Sequence, residues 1–179
     1  GTASGSYSLQ VNASPCVGGA PEVCNDLVDN DGDGYTDCFD SECDTTLGCA
    51  SNGSCSVPYR VTAAGRFTQV TTGRTDLTDA TCTGTSGSSD VVFAFQPQAT
   101  GPICVDSAGS NYDTVLSVQT TCGASGTELA CDDDTSPSGN NASRVQWTAS
   151  AGALYYVVLQ GWNGRDGTGV INVTFGPCP

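Results

Sequence analysis

The chain has 179 residues, 11 cysteines, 23 glycines, no histidine and no methionine, with 5 basic against 19 acidic groups and a net charge of −14. All the basic residues are arginines, so there is no Ser–His–Asp or Cys–His site, no lysine Schiff base and no P-loop lysine. The arginines are scattered, which excludes a nucleic-acid surface.

No apolar run approaches the roughly 20 residues that span a bilayer, so membrane insertion is not expected. The chain opens on Gly1-Thr2-Ala3-Ser4-Gly5 without a signal peptide and is read as already processed. Cysteines without histidine, and without paired C-x-x-C knuckles, speak for disulfides rather than zinc. Disulfides in turn imply an extracellular or cell-surface location. An odd cysteine count leaves at least one thiol free or bonded between chains.

Residues 1–15 read as an extra N-terminal strand. Gly5-Ser6-Tyr7-Ser8-Leu9-Gln10-Val11-Asn12-Ala13-Ser14-Pro15-Cys16 aligns with Gly167-Thr168-Gly169-Val170-Ile171-Asn172-Val173-Thr174-Phe175-Gly176-Pro177-Cys178. Leu9 matches Ile171, Val11 matches Val173 and Ala13 matches Phe175. Coincidence between two short alternating strands is the plain explanation. The sharper one is that two copies of a strand cannot fill one slot. The chain is then one period of a tandem array, or Tyr7, Leu9, Val11 and Ala13 enter a neighbouring subunit by strand addition. Repeated head to tail, such a contact builds a filament, with Cys16 or Cys178 as an intersubunit link.

Residues 16–56 form a Cys/Asp-rich segment. Between Glu22 and Cys49 lie seven Asp, two Glu and no basic residue. Cys24, Cys38, Cys43 and Cys49, with Cys55 just beyond, are expected to staple this block. Carboxylates crowded into small loops need a neutralising cation. Asp29-Asn30-Asp31-Gly32-Asp33-Gly34-Tyr35-Thr36-Asp37-Cys38-Phe39-Asp40 fits the twelve-residue calcium loop. Asp29, Asp31 and Asp33 stand at positions 1, 3 and 5, Gly34 at the sharp turn, the Tyr35 carbonyl at 7, Asp37 at 9 and Asp40 at 12. Position 12 is Asp rather than the usual bidentate Glu. Asp26, Glu42 and Asp44 are spare for a second calcium. The loop resembles the calcium repeats of thrombospondin type 3 and dockerin modules. The run from Cys24 to Cys43 resembles more closely a metal-binding repeat of secreted deltaproteobacterial proteins, which implies a structural, disulfide-clamped site.

Residues 57–179 show short alternating strands separated by turn signals, the pattern of a β-sandwich or barrel. Strands are predicted over 66–72, 90–95, 101–105, 114–119, 128–131, 143–148, 154–160 and 169–175. Val92-Phe93-Ala94-Phe95 and Tyr155-Tyr156-Val157-Val158-Leu159 are expected to be buried central strands. Trp147 is assigned to the core. Trp162, in a Gly/Asn loop, is assigned to the surface, where it could stack on carbohydrate.

The order Asp90-Val91-Val92-Phe93-Ala94-Phe95, Tyr112-Asp113-Thr114-Val115-Leu116-Ser117-Val118, Cys131-Asp132-Asp133-Asp134, Ser143-Arg144-Val145 and Ala151-Gly152-x-x-Tyr155-Tyr156-Val157-Val158-Leu159-x-Gly161, with Gly167-Thr168-Gly169 before the last strand, resembles the bacterial pre-peptidase C-terminal domain. The resemblance implies an all-β, jelly-roll-like antiparallel β-sandwich without catalytic activity of its own. It also favours a calcium site at Asp113, Asp132, Asp133 and Asp134, against a reading of those residues as turn caps and a solvated loop tip. Cys122 and Cys131 flank a Gly/Ser-rich loop between neighbouring strands and are expected to pair. Asn12, Asn52, Asn141 and Asn172 match the glycosylation pattern, and the Thr-rich run 68–85 could carry O-linked glycan.

Two functions follow. The first is a calcium-stabilised, disulfide-rich structural repeat of a surface filament or matrix fibre. The second is a non-catalytic accessory module of a secreted hydrolase, recognising protein or polysaccharide.

Overall fold

The computed structural model describes residues 20–43, 49, 51–83, 87–135 and 141–179. Nine strands form among them: β1 (Tyr59–Val61), β2 (Gly65–Val70), β3 (Val91–Phe95), β4 (Gly101–Asp106), β5 (Thr114–Gln119), β6 (Glu128–Asp133), β7 (Arg144–Ala149), β8 (Tyr155–Gly161) and β9 (Thr168–Thr174). The only helical elements among the described residues are 3-10 turns, and no helix there is long and apolar enough to cross a membrane.

The strands build two sheets, in the orders β1-β3-β8-β5-β6 and β2-β9-β4-β7. From β2 onward successive strands alternate between the sheets, except for the β5–β6 hairpin. This order is that of a jelly roll, the all-β sandwich expected from the sequence. β1 is an addition. It pairs in parallel with β3 at the sheet edge, and three residues after Pro58 are too few to show a period of two.

Alternation is plain where only one face is buried. In β7, Val145, Trp147 and Ala149 point inward while Gln146 and Thr148 face solvent. Phe93, Phe95, Leu116, Val118, Val157, Leu159, Ile171 and Val173 complete the core between the sheets, with the Trp147 ring edge-on to Phe95. β3 and β5 are buried at every position. Their outer faces are covered too. Val92 donates its N–H to the Gly53 carbonyl, and Gln119 bonds the Thr78 hydroxyl. The segments around residues 53 and 78 therefore cover the outside of the five-stranded sheet. This is why β3 and β8 read as continuous apolar runs.

Five disulfides form among the described residues: Cys24–Cys43, Cys38–Cys49, Cys55–Cys122, Cys82–Cys131 and Cys104–Cys178. They place the chain in an oxidising compartment, extracellular or periplasmic. Two expectations are corrected. Cys122 and Cys131 do not pair. Cys131 lies in register with Ser117 inside the β5–β6 hairpin, well down the strands from the turn that carries Cys122. Each instead reaches outward, to Cys55 and Cys82. Cys178 is not an intersubunit link, because it closes on Cys104 in β4. The remaining cysteine, Cys16, lies outside the described residues, as do Tyr7, Leu9, Val11, Ala13 and Asp44.

Candidate functional site

The acidic loop has no regular secondary structure between residues 29 and 36, and its own carboxylates supply its backbone partners. Asp29 accepts the N–H groups of Gly32 (2.7 Å) and Gly34 (2.9 Å), one on each oxygen. Asp31 accepts from Asp33, and Asp33 accepts from Tyr35. These Asx turns wind the chain tightly around its acidic side chains. Gly32 and Gly34 take φ of +80° and +96°. At Gly34 a side chain would meet both the strain of this positive φ and Oε1 of Gln98, which would have to shift.

The winding gathers two sets of carboxylates. Oxygens of Asp31, Asp33 and Asp40 lie within 4.8 Å of one another, as do those of Glu22, Asp29 and Asp31. Calcium holds oxygens at 2.3–2.6 Å, so two ligands on opposite sides of an ion stand about 5 Å apart. Asp31 belongs to both sets and joins them.

Asp40 is the telling member. It is 1% exposed, and its Oδ1 accepts the Glu42 N–H. Its Oδ2 is buried without a hydrogen-bond partner among the described residues. A buried carboxylate oxygen left unpaired is costly unless a cation meets it. Burial raises the Asp40 carboxyl above the ordinary range, the Glu42 N–H opposes this, and the charges of Asp33, Asp31 and Glu22 push it further up. A hard dication on this all-oxygen donor set would reverse the repulsion.

Other predicted ligands bond the backbone of the segment and lie outside these sets. The Asp37 carboxylate accepts the N–H groups of Asp26 and Leu27 and joins neither set. Asp26 accepts from Val28 and from the Asn30 amide, while Glu42 accepts the Glu22 N–H. Among the described residues Asp26 and Glu42 join neither set, and Asp44, the third residue expected with them, lies outside the described residues. Glu22, by contrast, is a member of one of the sets. It is buried, and its carboxylate accepts the N–H groups of Asn30 (2.8 Å) and Asp37 (2.7 Å), locking both ends of the loop. The sequence carries Glu22 seven residues ahead of the motif, where only its position inside the Cys-stapled block could have singled it out.

A third acidic set lies at one end of the sandwich, where Asp113, Asp133 and Asp134 converge within 4.8 Å. Oδ1 atoms of both Asp113 and Asp133 are buried and unpartnered among the described residues. Burial raises the Asp113 carboxyl, helped by Asp134 and opposed by Arg165. Burial also raises Asp133, helped by Asp134, Asp113 and Asp132. Asp132 is the exception among the four residues expected here. It accepts the backbone N–H groups of Arg144 (2.6 Å) and Thr135 (3.2 Å), which makes it a cap and not a member of the cluster.

The acidic loop is fastened to the sandwich by two glutamines at the end of β3. Gln96 Oε1 accepts from both the N–H and the hydroxyl of Thr36 (3.3 Å each), and Gln98 Nε2 donates to the Gly34 carbonyl (2.9 Å). Trp147 is in the core as expected, while Trp162 is half-buried in a 3-10 turn.

Fold and site define a jelly-roll sandwich carrying a disulfide-clamped acidic loop. The chain is similar in structure to the pre-peptidase C-terminal domain of a Bacillus anthracis collagenase, at 12% identity over 65% of this chain and 94% of that one, with a TM-score of 0.46. It is also similar to Aeromonas hydrophila PliG, a periplasmic inhibitor of g-type lysozyme (14% identity, 65% and 94% of the chains, TM-score 0.40). A family 35 carbohydrate-binding module from an environmental isolate matches at 12% identity, over 68% and 98% of the chains, with a TM-score of 0.32. No protein-family profile and no curated protein matches the chain.

Proposed function

We propose that the chain is a non-catalytic, calcium-stabilised binding module of an extracellular or cell-surface protein, recognising protein or polysaccharide. The observation that carries calcium is the buried, unpartnered Oδ2 of Asp40 beside Asp31 and Asp33. Asp31, Asp33 and Asp40 hold the ion, with the Tyr35 carbonyl as the fourth donor that the loop pattern offers. Glu22 and Asp29 complete its acidic surround. Asp113, Asp133 and Asp134 are a further calcium position, supported by their two orphaned buried oxygens. Calcium here is structural. It binds the folded loop and not the unfolded chain, and so adds about 2.7 kcal/mol of stability when its free concentration is a hundredfold above Kd. The test is thermal unfolding of the full chain in calcium and in chelator. A midpoint that does not move between the two overturns the proposal.

A second function, head-to-tail strand addition into a filament, rests on the repeated strand sequence. β9, the strand whose sequence residues 5–16 repeat, already lies between β2 and β4 in its own sheet. A second copy needs an edge, and β2 and β7 are the edges of that sheet. Homo-oligomeric filaments in negative stain would support this function. A monodisperse monomer at all concentrations would remove it.

A further inference from the structure

The acidic loop is also one wall of a cleft. Where it meets the sandwich, Tyr35 faces the β3–β4 turn, the end of β1 and the residues after β9 across a cavity of about 360 Å³. That size falls within the range of small-molecule sites. Its lining combines Tyr35 and Phe175 with Pro97 and Pro102, and with the amide of Gln98 and the hydroxyl of Thr100. The walls contain no charged side chain among the described residues, in a protein of net charge −14.

We infer that this cleft binds an uncharged saccharide and that calcium in the loop controls the binding. This rests on the binding-module function proposed above and names its site and ligand class. A pyranose presents an apolar face and a rim of hydroxyls, and the cleft offers the complement of each. Phe175 is 42% exposed, leaving its ring available, and aromatic side chains supply contact area at low entropic cost. Gln98 spends Nε2 on Gly34 and Gln96, but its Oε1 has no hydrogen-bond partner among the described residues. Thr100 accepts the Ala151 N–H and keeps its own proton to donate. The cavity is compact, sized for one or two sugar rings, and is not a long groove for an extended peptide. The absence of cations in its walls, against a strongly negative chain, disfavours uronic acids.

The coupling to calcium lies in the backbone. Residues 34–36 carry the Tyr35 carbonyl at loop position 7, and they are the residues that Gln96 and Gln98 hold against the sandwich. Loss of the ion leaves the stretch of backbone that sets the Tyr35 wall held by the two glutamines alone.

The experiment titrates the full calcium-loaded chain with neutral trisaccharides (gluco-, manno- and xylo-configured) by calorimetry, with a glucuronate-bearing trisaccharide and a proline-rich peptide as comparators. Binding of at least one neutral sugar is expected, weakened about tenfold by Phe175→Ala and by Gln98→Ala, and about tenfold or more by chelator. Phe175→Ala lies outside the loop, so its calcium-dependent unfolding shift should match the parent. No neutral sugar bound, undiminished binding in Phe175→Ala, or preference for the peptide or the glucuronate overturns the inference. Equal sugar binding with and without calcium removes the coupling. The unfolding shift with calcium, read on the same samples, shows separately whether the calcium proposal stands.

Discussion

Gln98 Nε2 donates to the Gly34 carbonyl at 2.9 Å, while the Gln98 Oε1 sits where a Gly34 side chain would have to go. A glycine in the loop and a glutamine in the sandwich are thus matched by hydrogen bond and by volume. The two loop glycines should respond differently to substitution. Gly32→Ala meets nothing within 4 Å and suffers only its positive φ, a cost of about 1 kcal/mol. Gly34→Ala suffers the same strain and must also push Gln98 aside. Thermal unfolding should show Gly34→Ala the more damaging of the two, and Gln98→Ala should recover part of its loss by making room.

Asp40 and Asp37 belong to the same loop but do different work. Asp40→Asn removes a charge that is buried among other carboxylates and has one unpaired oxygen. In chelator this variant should be as stable as the parent or more so, since the repulsion is gone. In calcium it should lose about tenfold or more in affinity by calorimetry. Asp37→Ala removes the acceptor for Asp26 and Leu27, and should destabilise the loop with or without the ion. Equal calcium responses from the two variants would contradict this division of roles.

That division explains what can be read in advance. The carboxylates at loop positions 1, 3, 5 and 12 are legible because their spacing is fixed by the chain's own winding. The hydrogen bonding of Asp37 to Asp26 and Leu27 is not, because the same side chain can serve an ion or cap a neighbouring N–H. Glu22 comes from outside the motif and meets it through space. The jelly roll is legible through β4, β5, β7 and β9, whose predicted bounds fall within a residue or so of those observed. β1 is not, since three residues carry no period. The pairing of Cys55 with Cys122 and of Cys82 with Cys131 stays hidden for a different reason, because it records which loops cross the outside of the five-stranded sheet.

One such crossing buries Asp90 at 1% exposure. Its Oδ2 accepts the N–H groups of Leu77 (2.7 Å) and Thr78 (3.0 Å), while Oδ1 is buried without a partner among the described residues. Burial pushes this carboxyl up to about 7, the two N–H bonds oppose that, and Asp76 and Asp79 add to it. The folded state therefore holds the Asp90 proton more tightly than the unfolded chain does. Its contribution to stability is complete below the ordinary carboxylate value of 3.8 and is lost as pH rises towards 7, at about 1.4 kcal/mol for each pH unit crossed. Asp90→Asn mimics the protonated form. Measured by denaturant unfolding in excess calcium, the variant should gain on the parent steadily between about pH 4 and about 7, and the difference should then level off. A pH-independent difference would mean that Asp90 is ionised throughout.

The Cys104–Cys178 bond ties the residues after β9 to β4 across a separation of 74 residues. Closing a loop of that length restricts the unfolded chain, and its loss should cost about 4 kcal/mol. The double variant Cys104→Ser/Cys178→Ser should lower the unfolding midpoint while leaving calcium affinity intact, because both cysteines lie outside the acidic loop. The single variant Cys178→Ser is more revealing for assembly. It leaves Cys104 without its partner, buried at 2% exposure in β4, so cross-linking through Cys104 requires local opening of the strand. Non-reducing electrophoresis should therefore show the single variant as monomeric as the parent under native conditions, with dimers appearing only after mild denaturation. A disulfide-linked dimer of the parent chain that survives in Cys178→Ser and vanishes in Cys16→Ser would assign any covalent contact between copies to Cys16. Ladders that vanish in Cys178→Ser would overturn the intrachain bond.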